Sequence, residues 1–452
     1  MIVQKFGGTS VGDADRIESV CALIRKEKER RPVVVVVSAM AGVTNRLFEA
    51  SQSALVGKTS DVEASLESIE ALHRSTIAAL VKDPKDRLAL EADVKKVGEE
   101  ARLLCQGMSF LKEAPPRSLD ALGGLGESLS SSLLTVVLRS RGMPAEKVDA
   151  RDLILTDSSF GQATVDFPAT ETRCAQIRDF LREGVIPVIP GYVASDAEGR
   201  TTTLGRGGSD YTAAILGSVL NAEEIQIWTD VDGILSADPK IAPKAKVIPE
   251  ISFEEAAELA HFGAKVLHPS TLQPAIEKEI PIIVLNSFRP EGKGTVIRRK
   301  RGLRPGLRAI ACKKGIPAMT LSSNRMLLAH GFLAEVFDVF KSHRISIDLV
   351  ATSEVSVSLT FDAVEGIKEA LPELERLAEV EVTPDNAIIC CVGQKLSETS
   401  GIAGRIFSQL KDINVRIVSF GAKDNNMSFV VAETDADEAV RRLHREFFEE
   451  AA

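Results

Sequence analysis

Lys5 follows a short apolar run, Ile2-Val3, and leads straight into Gly7-Gly8-Thr9-Ser10. An ammonium at a strand end, facing a Gly-Gly turn, suits a phosphate or a carboxylate. Much further along, the run from Gly199 to Ala214 places Arg206, Gly207, Gly208, Ser209 and Asp210 just ahead of an alanine-rich helical stretch. Such a loop offers free backbone N–H groups at a helix N-terminus, where the helix dipole adds positive potential. A Gly-Gly turn alone has many structural uses, so neither loop is decisive by itself. Two anion cradles in one chain point to phosphoryl transfer with separate donor and acceptor loops.

These loops need a rigid frame. The run Arg31 to Ser38, with five consecutive valines, reads as a central parallel strand buried on both faces. Gly184 to Pro190, Glu224 to Thr229 and Ile280 to Asn286 read the same way, and a polar, basic stretch follows from Gly292 to about Arg308. Strands separated by helical segments predict an α/β sandwich around a mostly parallel sheet. Residues 54–115 read as long, charged helices with a solvated face, closed by Pro115-Pro116.

The last part of the chain repeats. Strands at Ile316–Leu321, Ile345–Ala351, Val355–Phe361 and Glu379–Thr383, with helices at Gly331–His343 and Val364–Ala378, make one β-α-β-β-α-β unit. A second unit starts at Ala387–Val392 and continues through a helix at Gly401–Leu410, strands at Val415–Phe420 and Ser428–Ala432, and a helix at Asp435–Phe448. Each spans roughly 70 residues in a ferredoxin-like pattern. The second unit lacks its final strand, while a spare strand, Leu307–Lys313, precedes the first. The spare strand is expected to fill the gap, so that the first unit is inserted within the second.

Composition sets limits on the partners. The 452 residues carry a formal net charge of −9, which argues against nucleic acid or an anionic membrane as the main partner. Six cysteines (Cys21, Cys105, Cys174, Cys312, Cys390 and Cys391) show no C-x-x-C spacing and read as free thiols in a reducing compartment. No leader pattern opens the chain and no run of ~18 apolar residues occurs, so a cytoplasmic protein is expected. Thr229 to Asp238 superficially resembles a calcium loop, but lacks the third ligand before Gly233 and the closing glutamate, so no metal site is expected there.

Taken together, the motifs resemble those of the monofunctional, lysine-sensitive aspartokinases over essentially the whole chain. They are Lys5 to Ser10, Ser38 to Asn45, Gly126-Glu127, Arg200 to Asp210, Trp228 to Gly233, Phe262 to Pro269, Gly331 to Phe337 and Asp348 to Val357. The resemblance implies an amino-acid-kinase fold over 1–295, a linker at 296–306, and two ACT domains, one at 315–385 inserted within another formed by 307–314 and 386–452. It also implies ATP and Mg²⁺ as cofactors, with phosphorylation of the L-aspartate side chain to 4-phospho-L-aspartate, first in the pathway to lysine, threonine and methionine. In that reading Lys5 bridges donor and acceptor oxygens and Asp210 orients it. Arg206 clamps the α-carboxylate of aspartate, Glu127 accepts from its α-ammonium, and Ser38, Thr44, Gly207, Gly208 and Ser209 complete the substrate loop. The nucleotide takes Lys5, Phe6, Gly7, Gly8, Thr229, Asp230, Lys265 and Val266. It also takes Leu235 and Lys240, where relatives often carry tyrosine and arginine.

For the repeated part, the resemblance implies inhibition by L-lysine at the first ACT domain and assembly as a homodimer or a dimer of dimers. Met326, Phe332 and Leu333 lie at the start of the first helix, Ser346, Ile347 and Asp348 on the next strand, and Ser353 and Glu354 beyond it. Asp348 pairs with an ammonium in that reading, while Ala329 stands where lysine-sensitive relatives usually have serine. Two other readings stay open: an amino-acid kinase acting on glutamate or N-acetylglutamate, and a catalytically silent amino-acid sensor. The Lys5 motif and the paired ACT units speak against the first. The presence of Lys5, Glu127, Arg206 and Asp210 speaks against the second. A fused homoserine dehydrogenase is not expected, because the chain stops where the second ACT unit ends.

Overall fold

The computed structural model describes residues 1–263, 267, 269–299, 305–326, 330–362, 366–421 and 424–449. It divides into two compact units: Met1–Ile234 with Pro249–Phe253 and Val266–Arg299, and Leu235–Ile248 with Glu254–Lys265 and Lys300–Ala452.

The first unit is built on strands β1 Ile2–Phe6, β2 Val33–Val37, β3 Ala145–Lys147, β4 Ile186–Pro190, β5 Val193–Ser195, β6 Thr201–Thr203, β7 Glu224–Thr229, β8 Glu250–Ile251, β9 Ile282–Asn286 and β10 Thr295–Ile297. Eight of them form one sheet in the order β3-β4-β2-β1-β7-β9-β10-β8, while β5 and β6 pair as a separate ribbon. Every pairing in the large sheet is parallel except β9 with β10. The valine run explains its centre: all five side chains of β2 are fully buried, each contributing about 1.5 kcal/mol or more over an exposed side chain. Helices Ala14–Lys28 and Leu125–Ser140 pack on this sheet. Helices Val43–Leu55, Thr59–Leu80 and Pro84–Leu111 form a further apolar cluster of their own. The stretch Pro116–Ser140 is long and apolar enough to cross a membrane by composition, yet its most apolar window is 78% buried inside the protein.

The second unit carries β11 Gly306–Ser322, β12 Ile347–Thr352, β13 Ser356–Phe361, β14 Glu379–Gln394, β15 Ile417–Phe420 and β16 Asn426–Ala432. These form a single antiparallel sheet in the order β12-β13-β11-β14-β16-β15. The two strands expected at Leu307–Lys313 and Ile316–Leu321 are one continuous strand, and so are those expected at 379–383 and 387–392. Gly315 at φ 72° and Asp385 at φ 56° take up register shifts as bulges instead of ending the strands. The first half of β11 pairs with the second half of β14, in the place the second repeat leaves open. One half of the sheet packs helices Phe332–Ser342 and Ile367–Leu377; the other half packs Ile402–Ser408 and Glu433–His444. The linker is shorter than expected, because Val296 and Ile297 hydrogen-bond into the first sheet and Gly306 already opens β11.

Candidate active site and effector region

Lys5 stands near the C-terminal end of β1, where neighbouring parallel strands β2 and β7 also end. Its ammonium lies 2.6 Å from Asp210 Oδ1, and both side chains are nearly buried. Asp210 is in the first turn of helix Gly208–Leu220, whose N-cap Gly207 has φ 73°, a left-handed value that costs a glycine little. Gly8 is required for a different reason: a Cβ there would sit 2.7 Å from the Ala39 carbonyl oxygen, so the two loops touch backbone to backbone.

These loops enclose a cleft of about 730 Å³. Lys5, Gly7, Gly8, Ser38, Thr44, Glu127, Arg206, Gly207, Gly208, Ser209, Asp210, Thr229 and Asp230 all line it. Most of the expected substrate and phosphate residues are therefore together. Phe6 is the exception on β1: its side chain points into the core and stacks on Trp228, so only its backbone can serve the cleft. Leu235 and Lys240 belong to the second compact unit. Lys265, Val266 and Ala329 lie outside the described residues.

Glu127 has the most perturbed electrostatics in the cleft. Burial pushes its carboxyl up to about 7, against the opposing pull of the Ala39 and Glu127 amides and of the Lys5 ammonium. Its Oε2 is buried without a hydrogen-bond partner. Arg206 is exposed, with no side-chain partner among the described residues. A carboxylate lacking a cation and a guanidinium lacking an anion match the two charged ends of an α-amino acid.

Two further residues were not found by sequence reasoning. Tyr192 lines the cleft with φ 72°, and its amide donates to Thr212 Oγ1 at 3.0 Å. Asp120 is buried and accepts from the Gly161 amide at 2.9 and 3.0 Å, the Thr203 amide at 2.9 Å and the Thr203 hydroxyl at 2.7 Å. It thereby fixes the loop that brings Gly161 to the cleft wall. The Pro190-Gly191-Tyr192 turn could have signalled the first; the second has no local signature.

In the second unit, Phe332 belongs to the apolar core, with Met326, Leu333 and Ile347 packed against it. Ser346, Ser353 and Glu354 are exposed. The Ser353 hydroxyl is engaged in its own turn, 2.7 Å from Ser356 Oγ and accepting from the Val355 and Ser356 amides. Asp348, whose side chain is only 1% exposed, already has basic neighbours: His261 Nε2 at 3.0 Å and Lys313 Nζ at 3.3 Å.

A mostly parallel sheet whose strand ends carry glycine-rich loops around a lysine–carboxylate pair fits the class of the amino acid kinases. The sequence profile of the amino acid kinase family matches residues 1–286, and that of an ACT domain matches residues 389–447. The chain is 38% identical to lysine-sensitive aspartokinase 3 of Escherichia coli, with 99% of each covered. It is also 38% identical to the chloroplastic aspartokinase 1 of Arabidopsis thaliana, covering 99% of this chain and 80% of the relative. The crystal structure of E. coli aspartokinase III with aspartate and ADP, an R-state, superposes with a TM-score of 0.89 at 37% identity, covering 99% of this chain and all of that one. The same enzyme with lysine and aspartate, a T-state, gives 0.79. The chain belongs to the aspartokinases, within the amino acid kinase family.

Proposed function

We propose that this chain transfers the γ-phosphoryl group of ATP to the side-chain carboxylate of L-aspartate, the opening step toward lysine, threonine and methionine. The observation that carries the reading is the Lys5–Asp210 pair inside a cleft that also holds Glu127 and Arg206. A carboxylate is already a nucleophile and needs no general base. Its oxygen attacks the γ-phosphorus, the bond to the β,γ-bridging oxygen breaks, and ADP leaves with that electron pair. What the protein must supply is charge neutralisation and alignment between two anions. Asp210 holds the Lys5 ammonium at the point where negative charge gathers. Arg206 and Glu127 take the α-carboxylate and α-ammonium, while Ser38, Thr44 and Ser209 add hydroxyls, and Gly7 and Gly8 approach the phosphates closely, beside Thr229 and Asp230.

Among the described residues no group of three His, Cys, Asp or Glu side chains could hold a metal. Mg²⁺ would be carried on the ATP phosphates with water as its remaining ligands, where it would neutralise phosphate charge. We also infer inhibition by free L-lysine, whose ammonium would pair with Asp348, on the strength of the lysine-sensitive relative and the lysine complex. Exposed Val350, Val418 and Phe420 on the sheet-edge strands β12 and β15 fit pairing of two copies as a homodimer. The six free cysteines fit a cytoplasmic location. Purified chain supplied with ATP and aspartate, glutamate or N-acetylglutamate, with acyl phosphate trapped by hydroxylamine, tests the substrate. Preference for glutamate or N-acetylglutamate would overturn it.

A further inference from the structure

Asp348 sits at the centre of a four-residue charge cluster. His261 ends the helix Phe253–His261, Lys313 lies on β11, Asp348 on β12, and Asp362 follows β13 directly. Lys313 Nζ is 3.4 and 3.3 Å from the two Asp348 oxygens, and it makes a shorter ion pair with Asp362. The Asp348 distances exceed the ~2.7–2.9 Å of a tight charge-assisted bond. Lys313 therefore leans toward Asp362, which is about half exposed, and holds Asp348 loosely. Asp348 itself is nearly inaccessible, so it needs a cation in every state that keeps it buried. Although burial acts against the ionised form, the His261 hydrogen bond and the Lys313 charge hold the Asp348 carboxyl below its ordinary range.

We propose that Lys313 is a tethered stand-in for the effector's ammonium, which an incoming free lysine must displace from Asp348. This rests on the reading above that Asp348 receives that ammonium. The side chain of Lys313 and that of free lysine end in the same primary ammonium on the same four-carbon stem. In the exchange Asp348 trades one side-chain ammonium for another, and Lys313 keeps Asp362. Since the protein's own lysine is always present, it sets the concentration the effector must reach.

The test is calorimetric titration of the full-length protein with L-lysine. Lys313→Met keeps the stem and removes the competing charge, so lysine should bind at least about fivefold more tightly. Asp362→Asn removes the alternative partner and confines Lys313 to Asp348, so binding should weaken by a similar factor. If Lys313 were instead part of the effector's own contacts, Lys313→Met would weaken binding, and that result overturns the proposal, as does an unchanged constant in both variants. A wild-type protein that does not bind lysine at millimolar concentrations refutes the effector reading itself, and this inference with it. A wild type that binds lysine while both variants match it refutes only the displacement.

Discussion

Replacing Glu127 with glutamine separates what this side chain costs the fold from what it gives the substrate. The carboxyl titrates near 7 in the folded chain against an ordinary 4.5, chiefly because burial disfavours the charged form. Between those values the native state holds a proton that the unfolded chain releases, so native stability falls as pH rises through this window. At ~1.36 kcal/mol per pH unit the full penalty above pH 7 is about 3 kcal/mol. Glutamine carries no such penalty. The stability of Glu127→Gln relative to wild type should therefore improve by about 2.5 kcal/mol on going from pH 5 to pH 8. Urea melts at the two pH values, followed by fluorescence, suffice to measure it. Trp228, the single tryptophan of the chain, is buried on β7 and reports on the catalytic unit alone. A difference between the two proteins that does not change with pH would refute the argument. The same variant should bind aspartate poorly, since on the proposed reading the charge that costs stability is the one that meets the α-ammonium. In wild type the Michaelis constant for aspartate should rise as pH falls below about 7, as Glu127 becomes protonated.

Other perturbations reach the remaining parts of the site. Lys5→Ala should lower kcat by ~10²–10³ or more while nucleotide binding persists in equilibrium titration, because its charge matters most at the transition state. Arg206→Ala should raise the Michaelis constant for aspartate on the order of tenfold or more with a smaller change in kcat, measured by steady-state kinetics. Asp120→Asn should destabilise the catalytic unit by about 2–4 kcal/mol in a Trp228-monitored melt, since an amide NH₂ must then face donors that the carboxylate accepts.

Much of this molecule could be read along the chain, and what could not was hidden for physical reasons. Five consecutive valines announce a strand buried on both faces, and Gly207-Gly208 ahead of an alanine-rich stretch announces a helix start. Both signals are local. The break at Gly315 reads as a turn in sequence, yet the sheet continues through it because a bulge absorbs one residue without ending the ladder. Phe6 shares a motif with the phosphate loop, but β1 is buried on both faces, which leaves its ring in the core. Asp120 and the partners of Asp348 escape for a common reason: what a buried carboxylate does depends on groups far away in sequence, brought in by folding. Gly161 is 41 residues from Asp120, and Lys313 is 35 from Asp348.

The two amino-acid sites differ in how finished their electrostatics are. In the catalytic cleft, Glu127 Oε2 has no partner and Arg206 reaches no anion among the described residues, so an α-amino acid completes charges that stand open. Nothing has to leave. At Asp348 the carboxylate is already met within the chain, and on the displacement proposed above an ammonium enters only by replacing one that is tethered nearby. A site that a ligand completes gains the whole interaction, whereas a site that a ligand exchanges gains only the difference between two similar pairs. On the proposed reading the substrate is therefore drawn in by unmet charge, while the effector would act through its concentration.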